Sequence, residues 1–233
     1  PPEITWPWFL PEPHSSLDDL MTRDIEPRPQ DCAENGFVRF TIALLELLEE
    51  DRRVTATGAL GREDTAALLE RSGICRPVRS MWDHPEVVGP WVALRDGGWI
   101  DVVGGRVRRE NGPAPLVTVD DDPESFIEFA HAVLTAMLLG RDARGAEDGG
   151  FRGMPDTAAA LMAACAEGGL QMPDPRTADA TVPRDREEIE RWMRVVRDLE
   201  DLVAVGALGR DGDRFIGSDA LLMALVALLR ERG

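Results

Sequence analysis

Met81-Trp-Asp-His-Pro-Glu-Val-Val-Gly-Pro-Trp-Val-Ala-Leu-Arg-Asp-Gly-Gly-Trp-Ile-Asp-Val-Val-Gly-Gly-Arg-Val-Arg-Arg109 is the stretch on which the fold turns. Its first half is helical. Asp83 is placed to cap, and Pro85 stands just inside, where a missing N–H costs nothing. Val87, Val88, Trp91, Val92 and Leu94 give an apolar face, and Gly97-Gly98 ends it. Trp99-Ile-Asp-Val-Val then runs through Gly104-Gly105 into Arg106-Val-Arg-Arg. Two glycines between two β-rich runs suit the tight turns of a hairpin.

Upstream, Phe37, Phe40, Ile42, Leu44, Leu45, Leu47 and Leu48 recur at three- and four-residue spacing, which predicts a helix from Phe37 to about Glu50. Arg53-Val-Thr-Ala-Thr is short and β-branched, a strand, and a further helix is expected over 63–71, stopped near Gly73. Helix, short strand, helix, helix, hairpin is the order of a winged helix, the helix-turn-helix variant with a β-hairpin wing. Residues 36–115 are read as one such unit.

Residues 116–233 repeat the logic in degenerate form. Asp120-Asp-Asp-Pro-Glu opens a helix expected over 125–139, with a cap, a proline at the first position and acids at the positive end of the dipole. The glycine- and charge-rich stretch 140–153 reads as a loop. Helices follow over 155–167 and 186–202, the latter with Ile189, Trp192, Met193, Val196 and Leu199 on one face. Residues 203–208, the Asp211-Gly212 turn and Arg214-Phe-Ile-Gly read as a second hairpin, and Asp219 as the cap of a last helix ending near Arg230. The helix-plus-hairpin blocks 84–109 and 186–216 carry the repeat. The fold class expected is therefore α+β, mostly α, with tandem winged-helix-like units. In front stands an arm, residues 1–35, with seven of the 17 prolines together with Trp6, Trp8 and Phe9. Proline density forbids a helix or a central strand there, which leaves an extended arm; one turn is expected near 16–21, and the tryptophans should pack on the body.

The phrase Arg53-Val-Thr-Ala-Thr-Gly-Ala-Leu-Gly-Arg-Glu-Asp64 carries a resemblance, as do Met81-Trp-Asp-His-Pro-Glu with Trp91 ten residues on and the Gly-Gly-Trp-Ile hairpin. They resemble a family of uncharacterised actinobacterial proteins with winged-helix-like repeats. The segment 199–216 is similar to that family's close, although Ile216-Gly217 replaces its usual T-P-L-G. The resemblance covers about half the chain. It implies a fold and a taxonomic setting, with no activity and no catalytic residues.

Composition narrows function. The 233 residues include no lysine and no tyrosine, and 26 arginines face 43 acids, a net charge of -17. Without lysine there is no lysine-bearing phosphate loop, no Schiff base and no S-x-x-K acyl-enzyme. A charge of -17 disfavours nucleic acid, whose affinity comes from neutralising phosphates. The charge is uneven, however: residues 52–111 hold ten arginines against eight acids. Three scattered cysteines, Cys32, Cys75 and Cys165, suit reduced thiols in the cytoplasm. The longest apolar run, 220–229, is about half of a membrane span, and the chain opens without the features of a signal peptide.

The candidate sites are few. Arg106 and Arg108 share a side of the second wing strand with Arg109 beside them, and pairing with the first strand would add Arg52 and Arg53. Five arginines would then meet in one patch suited to phosphate or carboxylate. Glu124, Glu128 and His131 share a helix face and are the weak metal candidate, one E-x-x-H where di-metal bundles use two. The loop starting at Asp211-Gly-Asp fails as a calcium site, because Phe215 and Ile216 stand where a ligand and a glycine belong. No cofactor motif and no catalytic constellation occurs. The helix from Ala220 is apolar all round, which marks core or a subunit interface. The leading expectation is a cytoplasmic protein–protein interaction module that meets a partner, or its own copy through the last helix, away from membranes. The alternative is a DNA-binding regulator using the basic wing, and the remotest is a metal-dependent enzyme.

Overall fold

Pro29 opens a six-residue helix, α1 (Pro29–Glu34), inside the stretch whose prolines had argued for an extended arm. Proline is welcome at a first helical position because its missing N–H has no intrahelical partner there in any case. Asn35 then starts α2 (Gly36–Leu47) by accepting hydrogen bonds from the N–H groups of Phe37 and Val38. That satisfies two of the donors that every helix N-terminus leaves open. The strand expected after it is cut to β1 (Arg52–Arg53). Thr55 N bonds Ala59 O at 2.8 Å and Gly58, at φ 71°, turns the chain back, so the β-branched residues serve a tight loop.

After α3 (Arg62–Arg71), a single 3-10 turn, Met81–Asp83, is capped by Ser80, whose Oγ accepts from Trp82 N at 3.3 Å. α4 (Pro85–Asp96) follows with His84, not Asp83, at its N-cap. β2 (Ile100–Val103) and β3 (Arg106–Arg109) pair as the sequence predicts, with Gly104 and Gly105 at φ 60° and 73°. β1 adds to the other side of β3, antiparallel, giving the order β1-β3-β2.

In the second half, Asp122 caps α5 (Pro123–Arg144) by accepting from Ser125 N at 3.2 Å and Ser125 Oγ at 2.7 Å. The helix runs through Gly140, where a loop was expected. A mid-helix glycine costs about 1 kcal/mol, which packing on neighbouring helices readily offsets. α6 (Asp156–Ala164), β4 (Leu170–Gln171) and α7 (Arg186–Ala204) come next, the last with an Asp185–Glu188 capping box. The strand expected over 203–208 is not formed. α7 continues to Ala204, Gly206 turns the chain at φ 82°, and the hairpin is β5 (Gly209–Asp211) and β6 (Arg214–Ile216). α8 (Asp219–Arg232) is capped by Ser218, whose Oγ accepts from Leu221 N at 3.2 Å. The second sheet has the order β4-β6-β5, the same arrangement as the first.

The described residues are 6–12, 26–144, 150–175 and 185–232 of this computed structural model; the turn expected near 16–21 lies outside them. They make an α+β structure, mostly helical, with eight α-helices and two small antiparallel sheets. One continuous apolar core runs from Phe9 and Leu10 to Leu228 and takes in Ile100, Val107, Leu170 and Phe215 from the sheets. α5 lies at its centre, packed on α8, α4, α1 and α2. Contacts cross from one half to the other. Trp99 stands edge-on to Phe129, Asn35 Nδ2 donates to Ala207 O at 3.2 Å, and Phe37 N donates to Gly206 O at 2.9 Å. Ala220, Leu221, Leu222, Ala224, Leu225, Val226 and Leu228 of α8 are buried within their own chain, so the apolar circumference of that helix is core. Of the arm's aromatics, Phe9 is buried and Trp8 packs against it, while Trp6 stays exposed with Nε1 bonded to Leu10 O. Among the described residues no helix is long and apolar enough to cross a membrane.

Candidate functional site

The five arginines start from the register of the first sheet. Arg53 faces Arg106 and Arg52 faces Val107. Side chains alternate along a strand, so Arg53, Arg106 and Arg108 share the exposed face, while Arg52 and Arg109 fall on the face of the buried Val107. Three of the five meet, and acids stand among them. Arg106 Nε lies 3.7 Å from Asp51, and Arg108 bonds Asp101 at 3.1 Å and Glu110 at 2.9 Å. On the other face Arg52 donates to Leu47 O and lies 3.9 Å from Glu50 and 4.0 Å from Asp64. Arg53 and Arg109 have no ion-pair partner among the described residues. The hairpin is therefore a mixed-charge lattice, and exposed pairs of this kind are each worth about 0–1 kcal/mol.

α4, the helix before the hairpin, is packed between α2 and α5. Val87, Trp91 and Leu94 are fully buried, Glu86, Pro90 and Ala93 nearly so, and its exposed residues are Pro85, Arg95 and Asp96. At Gly89 the approach of α7 is so close that a Cβ would lie 2.8 Å from Val205. The half-buried Val88 and Val92 look into a groove of about 690 Å³ bounded by α4, the end of α5 and the end of α7. Trp82 stands at its edge, 41% exposed, held by an Nε1 bond to Thr57 Oγ1 at 3.3 Å.

Glu124, Glu128 and His131 do share a stripe of α5, but not a common centre. Both glutamates are exposed, whereas His131 is half-buried, its Nε2 without a hydrogen-bond partner among the described residues. No group of three or more His, Cys, Asp or Glu side chains able to hold a metal occurs among the described residues. The thiols are no nucleophiles at neutral pH in two cases. Burial pushes Cys32 up to about 11 and Cys165 up to about 12, while Cys75 is exposed.

His84 is 3% exposed, and among the described residues neither ring nitrogen has a hydrogen-bond partner. Its Nδ1 lies 3.9 Å from a Glu86 oxygen that also takes the guanidinium of Arg76. Burial, then the charge of Arg76, lower the His84 pKa against the opposing pull of Asp83; burial lowers that of His131 too. Below pH 6.5 the unfolded chain therefore binds more protons at these two positions than the folded one. Stability from this source falls as pH drops from 6.5 toward the lower folded values. Urea midpoints measured at pH 7.5 and 5.5 should show that loss. Glutamine at both positions should reduce it, and an unchanged pH dependence would refute the assignment.

The most heavily bonded ionisable group was not visible in the sequence. Asp198, 1% exposed, sits on α7 between the buried Val195 and Leu202. It accepts from Arg152 N at 3.1 Å, from Gly153 N at 3.0 Å and from Thr157 Oγ1, with Arg152 Nη1 at 3.5 Å. Two turns earlier on α7, Arg191 holds Asp156 with a two-pronged bond, 2.6 and 2.8 Å. Both oxygens of Asp198 are occupied, so the group ties residues 152–157 to α7 rather than facing a substrate. The signal was a lone acid on the apolar stripe of an amphipathic helix, since a buried charge must find donors. No protein family, curated protein or solved structure matches this chain.

Proposed function

We propose that the chain is a pair of winged-helix-like units that serves as a protein–protein interaction module. The strand orders β1-β3-β2 and β4-β6-β5, each with a hairpin's second strand in the middle, support the fold reading. In this reading residues 1–35 are an arm, 36–115 the first unit and 116–233 a degenerate second one, in a cytoplasmic protein akin to the actinobacterial family it resembles. One observation carries the functional choice: α4, which a DNA-reading winged helix lays in the major groove, is enclosed by α2 and α5. Readout of base edges needs a row of long polar side chains facing outward, and α4 exposes only Pro85, Arg95 and Asp96.

The DNA-binding reading keeps the unpaired Arg53 and Arg109, and the metal-enzyme reading keeps one half-buried histidine; both are weaker. Self-association through α8 is weaker as well, because its apolar residues are already covered. The test is a fluorescence-anisotropy titration of labelled duplex DNA at low salt. The expected result is no saturable binding up to about 100 µM, the weak end of the range of non-specific binders at physiological salt, whose binding only tightens at low salt. A salt-dependent isotherm abolished by Arg53→Ala, Arg106→Ala and Arg108→Ala together would establish the regulator instead.

A further inference from the structure

We propose that the groove between α4, α5 and α7 receives a basic amphipathic helix of a partner protein, an inference that rests on the interaction-module reading. The groove follows one side of α4, with the exposed Pro85 and Asp96 at its ends, the half-buried Val88 and Val92 between them, and Gly89 and Ala93 at its back. At 1.5 Å per residue that stripe is about 16 Å long, three helical turns, and matches anchors at i, i+3 or i+4, and i+7 on a docked helix. Ala136, Met137 and Gly140 of α5 and Val205 after α7 complete an apolar floor in which small side chains allow a backbone to come close. Trp82 stands at one end, already oriented by its bond to Thr57 and more than a third exposed. A tryptophan fixed beside an open apolar groove is the form that binding anchors take.

Charge selects the occupant. The charges on the rim balance, two arginines against two aspartates: Arg95 pairs with Asp96 at 3.2 Å, Asp201 with Arg152 at 3.0 Å, and Arg141 donates to Asp201 O at 3.4 Å. The half of the chain that supplies two of the three walls, residues 116–233, has 23 carboxylates against 13 arginines. Its field draws a cationic helix and speeds the encounter. A second copy, itself at -17, is repelled.

The probe is a fluorescein-labelled synthetic peptide of leucine and lysine patterned as an amphipathic helix, titrated in 150 mM salt. Its counterpart has glutamate for lysine. The lysine peptide should bind saturably, the glutamate peptide should not, and Ala136→Trp and Trp82→Ala should each weaken binding roughly tenfold or more. Both positions are at least partly exposed, and circular dichroism should show both variants folded. Lysine-peptide binding untouched by either substitution would reduce the effect to general attraction to an acidic surface and overturn the proposal, as would no binding at all. A dimer in sedimentation that Ala136→Trp dissolves would make a second copy the occupant and overturn it likewise. Failure here with a negative DNA titration removes only the groove; saturable DNA binding removes the interaction-module reading itself.

Discussion

Asp198→Ala lowers the thermal midpoint by roughly 10 °C, the combined result of a cost of about 3–5 kcal/mol for breaking a buried, charged network and of about 2–4 °C per kcal/mol for a domain of this size. The reason is asymmetry. Alanine removes the acceptor and leaves the N–H groups of Arg152 and Gly153, together with the hydroxyl of Thr157, in a dry interior without partners. An orphaned donor costs its full desolvation, more than the net worth of the bond it lost. Asp201→Ala is the control. It also removes a carboxylate from Arg152, but one that is half exposed, and should cost at most about 1 kcal/mol. Calorimetry of the two variants decides the matter, and equal shifts would show that burial of Asp198 is not what makes it matter.

Gly206→Val is the second large effect, at about 3 kcal/mol or more by urea denaturation. Two causes add. At φ 82° a β-branched residue is strained by about 1–3 kcal/mol. Its Cβ would also stand 3.1 Å from Gly36 C and Phe37 N, where the backbone carries the Phe37 N–Gly206 O bond. Gly58 separates the two. At φ 71° it shares the conformational strain, but a Cβ there meets nothing within 4 Å. Gly58→Val should therefore show only the first part, and a loss as large as that of Gly206→Val would mean that the contact with α2 adds nothing.

The legible parts of the fold were local. Gly104-Gly105 announced a hairpin, and the apolar spacings of α2, α4 and α7 announced helices, because turn chemistry and periodicity act within a few residues. The errors came where a distant contact decided. α5 passes through Gly140 because its neighbours hold it, and α7 runs on to Ala204 because Gly206 must reach α2 before the chain can turn. α1 was hidden for a different reason: proline was counted as a breaker when, at Pro29, it is a starter. For the sites, the five arginines could be brought into one three-stranded sheet by topology, but period-two alternation sends Arg52 and Arg109 to the other face. Asp198 was passed over on its helix, because nothing local says that Arg152, Gly153 and Thr157 will wrap it.

The unbroken core has a consequence for how the molecule meets anything. Two units on a flexible tether can reorient to suit a ligand, and each binding event must then freeze that freedom. Here Trp99 stands edge-on to Phe129, Phe37 is bonded to Gly206, and one core joins the two halves. The entropy of bringing two bodies into one orientation has been settled in folding, and any molecule that bound across both halves would be spared that part of the association cost. What the chain gives up in return is adjustment: it offers one composite surface, on which any selectivity would have to come from shape and charge.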